Sequence, residues 1–219
     1  DEPVVVVGGA VIDIVARPAS ELALRTSNPG TSREDHGGVA RNVAEVIGIF
    51  AQGDPACAVR FFSAVGEDAR ADAIRHRLVA SGVKPSLSAE RGANTASYLA
   101  LMDGNNDLHA AVADMDVLDR IPCPPEECLS RASCLVLDAN PPLETLAEII
   151  ERFRNGGEGS EHRPKTVIFE PTSVAKAVKA AEAGLLKGVH VMTPNRDEAL
   201  GMAVALGLPT DGTIEDVAA

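Results

Sequence analysis

The chain has 219 residues, 45% hydrophobic and 24% charged, with 3% aromatic residues, no Trp and a formal net charge of −12. That length and mix suit one sizeable globular domain. The acidity argues against non-specific binding to nucleic acid or to an anionic membrane, which needs a basic face, and the scarcity of aromatics argues against a stacking platform for single-stranded RNA.

The start, DEPVVVVGG, is acidic, carries no signal-peptide pattern and lacks Met, so it reads as a cut or processed end. No run approaches the roughly 20 apolar residues of a membrane span. Val4–Val7 is a buried strand. Val11–Val15 is a second strand, expected in the same sheet beyond the Gly8-Gly9 turn. Polar Pro18–Asp35 could add a lid strand. Val39, Val43, Ile47 and Phe50 recur at helical spacing, which predicts a helix over Val39–Phe50. Val59–Val65 is a strand, and Asp68 caps a helix with Ile74 and Leu78 inward that ends near Gly82.

Thr95–Met102 and Leu108–Met115 flank Asp103-Gly104-Asn105-Asn106-Asp107, a strong hairpin signal and the mark of a lid. Cys134–Leu137 is a strand. Leu143–Phe153 is a helix with Leu146, Ile150 and Phe153 inward, stopped by Gly156. A polar loop follows at Glu158–Pro164. Then come strand Thr166–Phe169, an Ala-rich helix over Ser173–Leu186, strand Val189–Met192 and helix Asn195–Leu206. Thr213–Ala219 reads as a helix just starting, so a C-terminal truncation is expected. Strands alternating with helices predict an α/β fold with a mostly parallel sheet.

Cys57, Cys123, Cys128 and Cys134 form no CxxC, and no His stands at zinc-finger spacing, so reduced thiols of an intracellular, cytoplasmic protein are expected. Neither GxxxxGK[ST] nor GxGxxG after the first strand is present. Asp13 within the apolar run VIDIV is either surface-facing or an acceptor for ligand hydroxyls. Gly37-Gly38 before the first helix lets backbone approach a ligand, with Asn42 one turn further on. Asp138, Asn140 and Glu170 sit at the carboxyl ends of strands, where open α/β sheets bind ligands. Asn195 and Glu198 fit a capping box, and equally a pair that holds hydrated Mg²⁺ beside phosphate.

GGVARN (Gly37–Asn42), SAVGEDARA (Ser63–Ala71) and TPNRDEA (Thr193–Ala199), in that order and with the hairpin between the second and third, resemble the PfkB, or ribokinase-like, carbohydrate and nucleoside kinases. The resemblance covers essentially the whole chain. It implies a three-layer α/β/α fold whose residues 1–219 form the N-terminal two-thirds of a kinase domain, with lid segments at about 17–35 and 93–116. VVGGAVIDIVARP, FEPTSVAK and TPNRDEALGMAVAL are most similar to the branch that phosphorylates the 5′-hydroxyl of pseudouridine. The resemblance assigns sugar binding to Asp13, Gly37, Gly38 and Asn42. Asp138, Asn140 and Glu170 would line the sugar and phosphate site. Asn195 and Glu198 would order Mg²⁺ with phosphate, and Thr95 and Ser97 on the lid could touch the base. It implies ATP, Mg²⁺ and a monovalent cation as cofactors, a homodimer through the lid, and a fusion to pseudouridine-5′-phosphate glycosidase in a longer chain.

One departure stands out. The family's G-A-G-D motif, which supplies the anion hole and the general base, does not occur in these 219 residues. Without them the chain as given is expected to turn over poorly. Other readings stay open: a kinase of the ribokinase, adenosine kinase or fructokinase type, or a non-catalytic module that binds a nucleoside or sugar.

Overall fold

A computed structural model describes residues 3–51, 53–156 and 164–210. The expected helix over 213–219 and the polar loop at 158–163 lie outside the described residues. Two sheets organise the chain. The larger is parallel throughout, in the order β10-β9-β8-β1-β4-β5. Its strands are β1 (Val4–Val7), β4 (Val59–Gly66), β5 (Lys84–Glu90), β8 (Cys134–Asp138), β9 (Thr166–Glu170) and β10 (Val191–Met192).

The apolar runs of its central strands follow from burial on both faces. Val5 and Val7 point into one core with Leu135, Leu137 and Phe62, while Val6 points into the other with Val136 and Phe61. Helix α1 (Val39–Ala51) and helix α2 (Ala69–Ala80) cover the second face. Helices α3 (Glu126–Arg131) and α4 (Leu143–Asn155) cover the first, α4 through Leu146, Ile149, Ile150 and Phe153. This is the expected three-layer arrangement.

The smaller sheet has the order β3-β2-β6-β7, with β2 (Val11–Pro18), β3 (Gly30–Gly37), β6 (Ser97–Met102) and β7 (Leu108–Asp114). β2 was expected in the large sheet, and here the structure corrects the sequence. The chain turns at Gly8–Ala10, so β2 leaves β1 and pairs antiparallel with β3 and parallel with β6. The small sheet therefore draws on Val11–Ala16 as well as on the two segments expected to form a lid. The β6–β7 hairpin forms as expected.

Three further readings shift. The inward face of α1 is Ala40, Arg41, Ala44, Glu45 and Gly48, one position beyond the Val39/Val43 stripe, and Phe50 is 80% exposed. Small residues face inward because α1 lies close on its neighbours: a Cβ at Gly48 would run into the Ser81 carbonyl. The Ala-rich helix is shorter than expected. α5 (Val174–Glu182) ends before Gly184, whose φ of +72° breaks the helix, and a 3₁₀ turn covers Leu185–Gly188. Strand β5, KPSLSAE, has no apolar run because it forms an edge of the sheet. Helix α6 (Arg196–Ala205) follows β10 and packs on α5 through Met202, Ala177 and Ala181.

Candidate active site

The carboxyl ends of β1, β8 and β9, the start of α1 and the start of α6 converge on one rim of the large sheet. The glycine corner comes first. Gly38 has φ +93°, and a Cβ there would strike the Gly9 carbonyl. A Cβ at Gly37 would strike the Asp13 carboxylate. The two glycines are thus needed to bring β3, the β1–β2 turn and Asp13 together. Asp13 is half-buried, opposite Asp35 in the β2–β3 register. Burial raises its pKa and Asp35 adds to the rise, while Arg41 opposes it. A carboxylate held this way is a ready acceptor for hydroxyl protons. Asn42 is exposed on the first turn of α1.

Asp138 is fully buried. Its Oδ2 accepts from Gly9 N at 3.0 Å, from Ala40 N at 3.0 Å and from Asn140 Nδ2 at 2.7 Å, and its Oδ1 accepts from Asn140 N at 2.9 Å. One of the orphan donors at the start of α1 is thereby satisfied by a carboxylate almost a hundred positions away. Burial pushes the Asp138 pKa up against the pull of these donors. Asp138 was expected to line the ligand site; the structure places it behind the crevice, with its oxygens engaged by the protein. Asn140 stands in front of it, half-buried. Its Oδ1 accepts from Lys176 Nζ at 2.6 Å, so the amide is fixed on both sides. Burial lowers the Lys176 pKa, opposed by Asp138 and Asp119.

Glu170 ends β9. Its Oε2 accepts from Thr172 N at 2.9 Å, and Thr172 is held at φ +69°, rare for a β-branched residue. The Thr172 hydroxyl accepts from Ala139 N at 3.0 Å, tying this turn to the end of β8. Burial raises the Glu170 pKa, with Glu198 and Asp138 adding to it. Asn195 and Glu198 form the reciprocal capping box of α6. Asn195 Oδ1 accepts from Glu198 N and Glu198 Oε2 accepts from Asn195 N, both at 2.9 Å. The box uses one oxygen of Glu198, whose charge is felt at Glu170. Two neighbouring carboxylates of which one resists ionisation suit a divalent cation. Among the described residues no three His, Cys, Asp or Glu side chains gather around one metal position.

Of the two lid residues, Ser97 is half-buried on β6 beside Ile12. Thr95 is wholly buried, and this corrects its expected contact with a base. Its hydroxyl donates to Asp68 Oδ1 at 2.7 Å and accepts from Gly66 N at 3.1 Å, and its N–H donates to Asp68 Oδ2 at 2.7 Å. Asp68 also caps α2 through Ala71 N, so Thr95 is a structural tie between the small sheet and the large one.

A family model described as pfkB family carbohydrate kinase matches residues 1–219. The chain belongs to this family. Among its curated relatives in the pfkB family, the pseudouridine kinase of Escherichia coli (strain K12) is 31% identical over 220 aligned residues, covering 98% of this chain and 64% of that protein. A pseudouridine-metabolizing bifunctional protein of Schizosaccharomyces pombe is 27% identical over 200 residues, covering 89% of this chain and 25% of its own length. The chain thus spans less than two thirds of these relatives. The structure of Arabidopsis thaliana ribokinase complexed with ribose and ATP superposes with a TM-score of 0.75 at 18% identity, over 99% of this chain and 66% of that one. That likeness carries the fold.

Two site residues escaped the sequence reading. Lys176 lies in FEPTSVAK, three residues past the Ser173 cap, a position that puts it on the first turn of α5 facing the strand ends. Arg41 lies inside GGVARN itself, and its signal was Glu45 at i+4 on the helix's inward face.

Proposed function

We propose that the full-length protein transfers the terminal phosphoryl group of ATP to the 5′-hydroxyl of pseudouridine. The observation that carries this reading is a rim at the carboxyl ends of the parallel strands that carries two different groups of side chains. In one, Asp13, Gly37, Gly38 and Asn42 offer acceptors and donors for sugar hydroxyls. In the other, Glu170 and Glu198 offer paired carboxylates. Asn140, fixed by Lys176, sits against Gly9 just past the end of β8. The relative in Escherichia coli supports the choice of pseudouridine.

In this reading Asp13 takes the hydroxyl protons of the sugar in hydrogen bonds and Asn42 donates to the oxygens. Asn195, Glu170 and Glu198 would hold Mg²⁺ through its waters, and the bound ion would neutralise phosphate charge. The small sheet would close over the nucleoside and keep water away from the phosphoryl group. Its outward face carries Leu99, 40% exposed, paired with Val112, 66% exposed. That face suits pairing of two copies through the lid. A neighbouring module that cleaves pseudouridine 5′-phosphate would consume the product, in keeping with the bifunctional relative.

The test is calorimetric titration of pseudouridine, uridine, adenosine and ribose, with Mg²⁺ present, followed by phosphorylation assays with ATP. Selective uptake and phosphorylation of pseudouridine is expected. Preference for adenosine or ribose would overturn the substrate, and uptake without phosphorylation by the full-length protein would leave a binding module. Because the 219 residues contain no G-A-G-D motif, the chain alone is expected to bind but turn over poorly. Robust ATP-dependent phosphorylation by it would refute that.

A further inference from the structure

Arg41 is 3% exposed, yet it is a cation on a helix that starts at the crevice. All three nitrogens of its guanidinium donate to the protein. Nε donates to the Gly37 carbonyl at 2.9 Å, and Nη2 donates to the His36 carbonyl at 2.9 Å and to Asn42 Oδ1. Nη1 donates to Glu45 Oε2 at 2.7 Å. Glu45 in turn accepts from Arg77 Nε and, at 3.2 Å, from the Ser81 hydroxyl, which anchors the whole assembly on α2 and its C-terminal turn.

A guanidinium has donors and no acceptor. Only the oxygen of a carboxamide can face it, so the Asn42 amide has one orientation. Its Oδ1 turns to Arg41 and its NH₂ turns to the open side of the first helical turn. The carbonyls of His36 and Gly37 are drawn to the same guanidinium, away from the crevice. We infer that Arg41 is a positioning residue that makes the glycine corner a donor surface, so that Asn42 presents only N–H groups to the ligand. The ligand atom it meets is therefore an acceptor oxygen, such as that of a sugar hydroxyl whose proton goes to Asp13. Lysine could keep the charge beside Glu45 and Asp13 but could not reach four acceptors in three directions.

This inference rests on the nucleoside-binding reading, and its test separates the two. In R41K of the full-length protein, titration with pseudouridine is expected to show affinity lower by about 10- to 100-fold, the cost of losing one or two charged hydrogen bonds. The KM for ATP stays at the wild-type value. A purely structural Arg41 would lower the melting temperature and leave nucleoside affinity of the folded protein unchanged, which would overturn the inference. Should R41K fail to fold, N42D decides. It keeps an oxygen toward Arg41, so its melting temperature is expected to equal or exceed the wild type. It puts a carboxylate oxygen where the amide N–H groups stood, so affinity is expected to fall at least about 10-fold. Wild-type affinity in N42D would overturn the assigned orientation. If the wild type takes up ribose but no pseudouridine, the substrate reading falls and the same variants are read against ribose. If it takes up neither, both fall.

Discussion

The two sheets of this protein are stabilised in different ways. The central strands of the large sheet are buried on both faces, and Val5, Val6, Val7, Phe61, Leu135 and Leu137 are all within 1% of full burial. The small sheet buries little: β7 is exposed along its entire length and β3 for six of its eight residues. Val11 and Ala96 root it in one core of the large sheet and Ile12 in the other, and the remaining ties are polar. Asp138 binds the turn into β2 and the start of α1, Asp68 binds Thr95 before β6, and Arg41 binds the end of β3. Apolar area holds the platform together, while the small sheet stands on it through a few apolar residues and a few charges with complete partners. Burying a charge is tolerable only when its partners are complete, so each tie is sensitive to loss of a single member.

Removing the deepest tie should be the severest insult. D138A strands the N–H groups of Gly9 and Ala40 and the Asn140 amide in a dry site, and is expected to cost about 3 kcal/mol or more in urea unfolding. A midpoint within error of the wild type would mean that apolar contacts alone seat the lid. T95V removes the hydroxyl between Asp68 and Gly66 at nearly constant volume. It should cost about 1–3 kcal/mol, and hydrogen exchange should quicken in β6 before β1. Equal quickening in both strands would dissolve the distinction between platform and lid.

Acid should loosen the ties ahead of the platform. For Asp68, burial works to raise the pKa, but hydrogen bonds from Thr95, Ala71 and Arg70 bring it below the ordinary 3.8. For Glu45, burial is likewise overcome by Arg41 and Arg77, and the pKa falls below the ordinary 4.5. A lowered carboxylate pKa in the folded state means stabilisation that is full above the ordinary value and is lost as pH falls through the lower one. Asp138 works in the opposite sense, since a raised pKa makes protonation relieve its burial. The urea midpoint should drop as pH goes from about 5 to about 3; a midpoint that rises would show that relief of Asp138 dominates. The smallest effect belongs to the lid's outer face. L99S and V112S should change monomer stability by less than about 0.5 kcal/mol. If copies pair through that face, the same substitutions should shift sedimentation from dimer to monomer.

The platform was largely legible in the sequence because burial on both faces leaves an apolar run, as at Val4–Val7 and Cys134–Leu137. The lid was legible where a turn announced it, at Asp103–Asp107. It was obscured where apolar VIDIV continued past a Gly-Gly turn, since nothing local states which sheet an apolar strand joins. For the site, Gly37, Gly38 and Asn42 stood out because their residue types are unusual at a helix start. Asp138 looked like a ligand-facing group because a polar residue at a strand end looks the same whether its partner is a ligand or a backbone N–H from elsewhere in the chain, and Thr95 did so only through the resemblance that put it on a lid. Arg41 and Lys176 were hidden for the converse reason. A charged side chain on a helix normally faces water, and only the assembled partners reveal that these two do not.

The parallel pairing at the middle of the small sheet bears on how the molecule is assembled. Asp13 lies beside Tyr98 and Ala16 beside Leu101, so the sheet closes only after β4, α2 and β5 have been laid down between them. As the chain leaves the ribosome, β2 and β3 can form a hairpin early, but one edge of β2 stays bare until residue 102 has emerged. A bare edge on a nascent chain can pair with the wrong partner. The charged run Arg33-Glu34-Asp35 on β3 guards the hairpin's other side during that interval.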